Sequence, residues 1–233
     1  MPFLDHLEEL RWRIIKSLAA VIIGAIFVFI FIDQIIDILI TPAKKANIPP
    51  NFQVLTVHGM FMLKWGIALI GGMVTTLPVI TYHIWKFIVP GLLENEKRYT
   101  LPVIVITFLS FICGIFFAYF VIIPYSINFF TSMGYVGVEN NYSINQYFNF
   151  VLWILIAAGL LFELPVLVMV LSSIGLVTPP FMRHYRRHSF VIFFIISAFL
   201  TPPDPISLLI MTFPLILLYE LSIWISRLFW KEN

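Results

Sequence analysis

Residues 189–224 read SFVIFFIISAFL-TPPDP-ISLLIMTFPLILLYELSIW, and how this stretch divides decides the fold. As a single apolar run it would cross a membrane once. Three prolines, Pro202, Pro203 and Pro205, surround Asp204 in its middle. Each lacks a backbone N–H and clashes with the preceding turn, so the run cannot continue as one helix. It reads as two spans joined by a turn, which returns the chain to the side it came from.

Outward from this stretch the chain is apolar almost throughout. Of its 233 residues, 61% are hydrophobic and 11% charged, and mean hydropathy is +0.98. A soluble domain carries about 25% charged residues, so this is an integral membrane protein. The runs are continuous rather than alternating, which excludes outer-membrane barrel strands. The fold class expected is all-α, one domain over 1–233, with spans near 14–40, 66–90, 101–130, 148–173, 189–201 and 206–226. Gly71-Gly72, Pro78, Pro102, Pro124 and Pro165 suggest bent helices around a concavity. Residues 189–201 give about 20 Å of helix against a hydrocarbon core of about 30 Å. The fifth span is therefore expected to be short, the sixth little longer before Tyr219-Glu220, and the bilayer beside them thinned.

Charge sets the orientation. With six spans and both termini in the cytoplasm, Arg11, Arg13, Lys16, Lys86, Lys97, Arg98, Arg183, Arg186, Arg187, Arg227 and Lys231 lie inside. Only Lys44, Lys45 and Lys64 lie outside. This is the positive-inside bias, and it weakens if 189–224 is one span. The first run is long and has no small-residue cleavage site, so no cleavable signal is expected. Cys113 is the single cysteine, so no internal disulfide can form.

Several chemistries are absent. No Gly-rich phosphate loop, no His/Cys metal-ligand spacing and no nucleophile elbow occurs, so neither an enzyme nor a resident cofactor or metal is expected. Glu163, in Phe162-Glu163-Leu164-Pro165, is the one acid deep in a long apolar run. A charge at that depth costs at least about 2.5 kcal/mol on insertion scales and marks a functional site by default. The structural alternative is a neutral acid bonded to the carbonyl that Pro165 frees. Glu9 faces Arg13 at i+4 and Glu8 faces Arg11 at i+3, so local ion pairs account for these acids as well as a binding role does. Glu94 and Glu96 suit a first helical turn. Asp204 before Pro205 has the chemistry of an N-cap. Asp33 and Asp37 are expected to be solvated at the outer interface, and Glu220 to reach interfacial water or a partner helix.

Taken in order, several motifs together resemble the TatC subunit of the twin-arginine protein translocase. They are His6-Leu7-Glu8-Glu9-Leu10-Arg11; Pro78 through Leu92 with Glu96-Lys97-Arg98; Phe117-Ala118-Tyr119-Phe120 with Pro124; Phe162-Glu163-Leu164-Pro165; and Leu200-Thr201-Pro202-Pro203-Asp204. The resemblance covers essentially the whole chain. It implies a multi-pass protein of the inner (plasma) membrane that binds twin-arginine signal peptides at the cytoplasmic face. It also implies recruitment of single-span TatA/TatB-type subunits into a hetero-oligomer, and export of folded proteins on the proton-motive force. Membrane lipid is the surrounding partner, and nucleic acid is not one.

By the same resemblance Glu9 and Glu96 form the twin-arginine site, Glu163 is the functional intramembrane acid, and Asp204 and Pro42 belong to outer-face features. Two positions depart from the family pattern. His58 stands where an acid is common, and Leu208 where some members have a partner-binding glutamine. This leaves Thr201 and Ser207 as the polar candidates for partner-helix contact. The competing reading is an ion-coupled secondary transporter with Glu163 as its midplane site, against which the lack of an internal repeat counts.

Overall fold

The computed structural model describes residues 3–88, 100–133, 141–173, 175–201 and 204–229. Helices dominate, and the described residues divide into two compact units, one from 1–38 and 56–109, the other from 39–55 and 110–233.

The first unit is built on α1 (Phe3–Ile30), the start of α2 (Ile32–Lys44), α3 (Gly59–Thr75) and α4 (Leu77–Ile88). Lipid is as apolar as leucine, so helices in a bilayer associate through close packing rather than hydrophobic exclusion. Small residues allow that approach here. A Cβ added at Gly72 of α3 would stand 2.5 Å from the Ala25 backbone nitrogen and 2.8 Å from the Val21 carbonyl oxygen of α1. At Gly24 of α1 it would meet the Gly72 carbonyl oxygen at 2.9 Å. Ala25 and Val28 are buried on this seam, while Ile22, Ile23, Ile26, Phe27 and Ile30 are exposed. That division is what a lipid-facing helix with one packed stripe produces.

Between α3 and α4 the chain bends by 54°. Pro78 lacks the N–H that would bond back to α3, and the break falls at Thr76. The Thr75 and Thr76 hydroxyls both donate to the Gly72 carbonyl, at 3.0 and 2.7 Å, a back-bonding that bends helices. Between α1 and α2 the break falls at Phe31, where no proline or glycine marks it.

The second unit contains the third apolar stretch from residue 110 onward, with the fourth and the last. α5 (Thr100–Phe117) continues through a π-helical turn (Ala118–Ile122) into α6 (Ile123–Ser132). The extra residue in that turn lies just before Pro124 and absorbs the missing N–H bond. Pro102 sits in the first described turn of α5. α7 (Ile144–Phe162) gives way to α8 (Leu164–Ser173) at Glu163, one residue before the Leu164–Pro165 pair. Gly114 lies so close to α7 that a Cβ would come within 2.6 Å of the Ala158 carbonyl oxygen.

After α9 (Pro179–His184), capped by the Thr178 hydroxyl, come α10 (Arg186–Leu200) and α11 (Pro205–Phe229). α10 has 15 residues, about 22 Å of helix, in keeping with a short fifth span. The sixth is not short. α11 runs 25 residues, about 37 Å, through both Pro214 and Glu220. Glu220 does not end it, because Arg186 Nη2 donates to its carboxylate at 2.6 Å. Met182, Phe193, Leu215, Tyr219 and Ile223 are buried together with Val168 of α8, and the Tyr219 hydroxyl donates to the Met182 carbonyl at 2.8 Å.

Two three-residue strands, β1 (Asn51–Gln53) and β2 (Asn141–Ser143), pair in parallel with Phe52 opposite Tyr142. The sequence reading, all helical, did not include them. Four described helices are long and apolar enough to cross a membrane, or five if the bent α3–α4 pair is one span.

Candidate functional site

Within the first unit, α1 presents Glu9, Trp12, Arg13 and Lys16 at one end, and α4 presents His83 and Lys86 to the same space. Together these six residues line a pocket of about 340 Å³. The Glu9 side chain is 27% exposed and that of Arg13 12%. Arg13 Nε donates to Glu9 Oε1 at 3.1 Å, and its Nη2 bonds the same oxygen. One carboxylate oxygen thus accepts from two N–H groups of the same guanidinium, a charge-assisted contact.

Basic charge surrounds this pair. The pocket holds one carboxylate against Arg13, Lys16 and Lys86, and among the described residues neither lysine makes an ion pair. Lys86 Nζ lies over the Tyr82 ring, 5.6 Å from its centroid. Glu96, the expected counterpart of Glu9, lies outside the described residues, as does Glu94. The i+4 spacing of Glu9 and Arg13 was readable in the sequence. The convergence of Lys16, His83 and Lys86 on Glu9 was not, although His83 and Lys86 share an i+3 face of α4.

A larger space adjoins the pocket. Arg13 and His83 also border a groove of about 590 Å³, whose walls are otherwise mostly apolar: Leu10, Ile14, Leu18 and Val21 of α1, with Ile80 and Ile84 of α4.

In the second unit, Glu163 occupies the turn between α7 and α8, half-buried, with its N–H directed to the Leu160 carbonyl at 3.2 Å. Its own carbonyl accepts from Leu167 N–H at 2.9 Å. The combined span runs from Ile144 to Ser173, so Glu163 stands about 15 Å of helix from the α8 end. Asp204 caps α11: Oδ2 accepts from Ser207 N–H at 2.6 Å, with the side chain only 2% exposed. Pro42 is buried in the last turn of α2.

Thr201 and Ser207 both turn inward. The Thr201 hydroxyl donates to the Ser197 carbonyl at 2.8 Å, and Ser207 Oγ pairs with Ser126 Oγ at 3.1 Å. The outward face at this end of α10 and α11 is apolar, made by Phe199, Ile206 and Leu209. His58 is exposed before α3 and Leu208 half-buried in α11. Asp33, expected to be solvated, is exposed but accepts from Lys64 Nζ at 2.8 Å. Among the described residues, no group of histidine, cysteine and acidic side chains could hold a metal ion.

Comparison with known proteins bears on what this arrangement serves. The family model described as Sec-independent protein translocase protein (TatC) matches residues 5–214. The Sec-independent protein translocase protein TatC of Halalkalibacterium halodurans is 36% identical over 233 residues, covering 100% of the chain and 91% of the relative. That of Aquifex aeolicus is 35% identical, covering 98% and 95%. TatCy of Bacillus subtilis is 34% identical, covering 100% and 91%. The fold is similar to a crystal structure of the twin-arginine translocase receptor TatC, with a TM-score of 0.81 at 35% identity, covering 96% of the chain and 98% of that structure. A second crystal structure of that receptor gives a TM-score of 0.84.

Proposed function

The chain belongs to the TatC family of Sec-independent protein translocase proteins, and from that premise we propose that it is the subunit that receives twin-arginine signal peptides. As a TatC protein it is a multi-pass membrane component of the twin-arginine translocase, in a family of transport proteins rather than enzymes.

The observation that carries the proposal is the Glu9–Arg13 pair. A carboxylate that already holds a guanidinium in a partly buried pocket can exchange it for another without being left bare. An i,i+4 pair of this kind is worth only about 0.3–0.5 kcal/mol, so an arginine delivered by a docked peptide competes on favourable terms. The basic excess around Glu9 disfavours two incoming guanidinium groups unless a second carboxylate joins it. Glu96 fills that role in this reading, one acid for each arginine.

The remaining assignments follow from the same reading. Six spans with both termini in the cytoplasm, in the inner membrane, put Glu9 on the side from which precursors arrive. Glu163 offers a polar contact within the bilayer to a signal peptide or a partner helix. Asp204 and Pro42 shape the outer face. Single-span TatA/TatB-type subunits join through the apolar outer ends of α10 and α11, and the proton-motive force drives export. The relatives are translocase components, and none supports ion-coupled transport through Glu163.

The test is photocrosslinking of a twin-arginine precursor to the protein in native membranes. Crosslinks are expected to fall at least tenfold in Glu9→Ala, in Glu96→Ala and in the double variant, and to survive replacement of Glu8. Undiminished crosslinking in the double variant refutes the site.

A further inference from the structure

The groove beside the Glu9 pocket has the dimensions and charge of a lipid site. Its α1 wall extends from Leu10 to Val21, twelve residues spanning about 17 Å of helix. One leaflet of a hydrocarbon core about 30 Å thick is about 15 Å deep. The groove is therefore about one acyl chain deep, and it shares Arg13 and His83 with the basic pocket beside it.

Among the described residues, that mouth carries Arg13, Lys16 and Lys86 with one carboxylate, that of Glu9. Both lysines are exposed, and among the described residues neither is paired with an acid. His83 stands at the boundary between pocket and groove. An apolar slot with a cationic rim at interfacial depth complements a diacyl phosphate, with basic pockets between membrane helices serving headgroups in this way. A peptide led by arginines would meet the same rim as like charge.

We propose that this groove between α1 and α4 binds one anionic phospholipid, its phosphate held by Lys16, Lys86 and Arg13 and one acyl chain laid along Leu10 to Val21. This does not depend on the signal-peptide reading, since it needs neither Glu9 nor Glu96 to bind arginine.

The experiment uses the full chain in nanodiscs of phosphatidylcholine with a minor share of phosphatidylglycerol, released for native mass spectrometry. A photoactivatable phosphatidylglycerol maps the contacts. Bound phosphatidylglycerol is expected well above its share of the disc, with crosslinks confined to residues 10–21 and 80–87. Lys16→Gln and Lys86→Gln should each reduce the enrichment about fivefold. Leu18→Trp, which fills the groove and leaves the rim intact, should reduce it as well. Inorganic phosphate at millimolar concentration should not displace the lipid. Equal retention of both lipids, enrichment unchanged in the double lysine variant, or crosslinks elsewhere would overturn the site. Displacement by inorganic phosphate, or indifference to Leu18→Trp, would reduce it to an anion pocket and overturn the lipid assignment.

Discussion

Gly72→Ala should destabilise the first unit although alanine is the better helix former. The added methyl would stand 2.5 Å from Ala25 N, 2.7 Å from Ala25 Cα and 2.8 Å from Val21 O. Ordinary contact is about 3.5–4.0 Å, so α1 and α3 must part by about 1 Å. The obstacle is backbone, which no rotamer change can clear. Overpacking of this kind costs about 1–3 kcal/mol, and rigid backbone on the far side puts Gly72 near the top of that range. Helix propensity returns about 1 kcal/mol. The net loss is about 2 kcal/mol, or about 4–8 °C in Tm for a chain of this size. Gly66, in the same helix, has nothing within 4 Å of an added Cβ, so Gly66→Ala keeps the propensity gain and should be neutral or raise Tm by a few degrees. Both variants are read by thermal unfolding in one detergent, followed by tryptophan fluorescence and by loss of monodispersity. Equal shifts in the two variants would refute the argument, because they would show that the α1–α3 approach does not control stability.

Other expectations concern the second unit. Asp204→Ala should cost about 1 kcal/mol by removing the cap on Ser207 N–H, with Asp204→Asn restoring most of it; the check is thermal unfolding of the pair, and equal loss in both would put the acid's role elsewhere than in capping. Ser172 and Ser226 share a buried hydroxyl bond of 2.7 Å, and a double-mutant cycle to alanine should give a coupling of about 0.6 kcal/mol, the usual size for hydrogen bonds between membrane helices. Beside α10, whose 22 Å falls about 8 Å short of a hydrocarbon core, the bilayer should be thinned; spin labels at the exposed Val191, Ile195 and Phe199 report depth, and a profile of full thickness would contradict this.

Apolar length and proline chemistry made most of the helical layout legible. Pro78 and Pro165 mark real breaks because each lacks the N–H that would bond to the preceding turn, and a new helix starts one residue before each, at Leu77 and Leu164. Pro124 was a correct signal with a different outcome, a π-helical turn instead of a sharp bend. The length of α11 was misread at Glu220, whose charge would end a span were it not paired with Arg186 from a neighbouring helix. The Phe31 break carries no residue signal, and the β1–β2 pairing joins three-residue segments about 90 positions apart. No local pattern encodes either.

The acids at the candidate sites teach a related lesson about charge. In the sequence, Glu9 had two readings that looked exclusive, a local partner for Arg13 or a ligand for an incoming arginine. Under the proposal the two readings are compatible, because the Arg13 pair is a weak intrahelical contact that orients the partly buried carboxylate. Lys16 and Lys86 were read as topology signals and His83 only within a motif, yet all three line the pocket of that carboxylate from two helices, and among the described residues that lining is basic. A lone acid in such surroundings is a poor receptor for two positive charges. Recognition of paired arginines therefore requires either a second acid or an anion that neutralises the rim, and the lysine variants separate these routes. If a phospholipid holds Lys16 and Lys86, their loss should abolish lipid enrichment while leaving precursor crosslinking intact or stronger, since a positive rim opposes arginine. Loss of Glu96 should do the reverse.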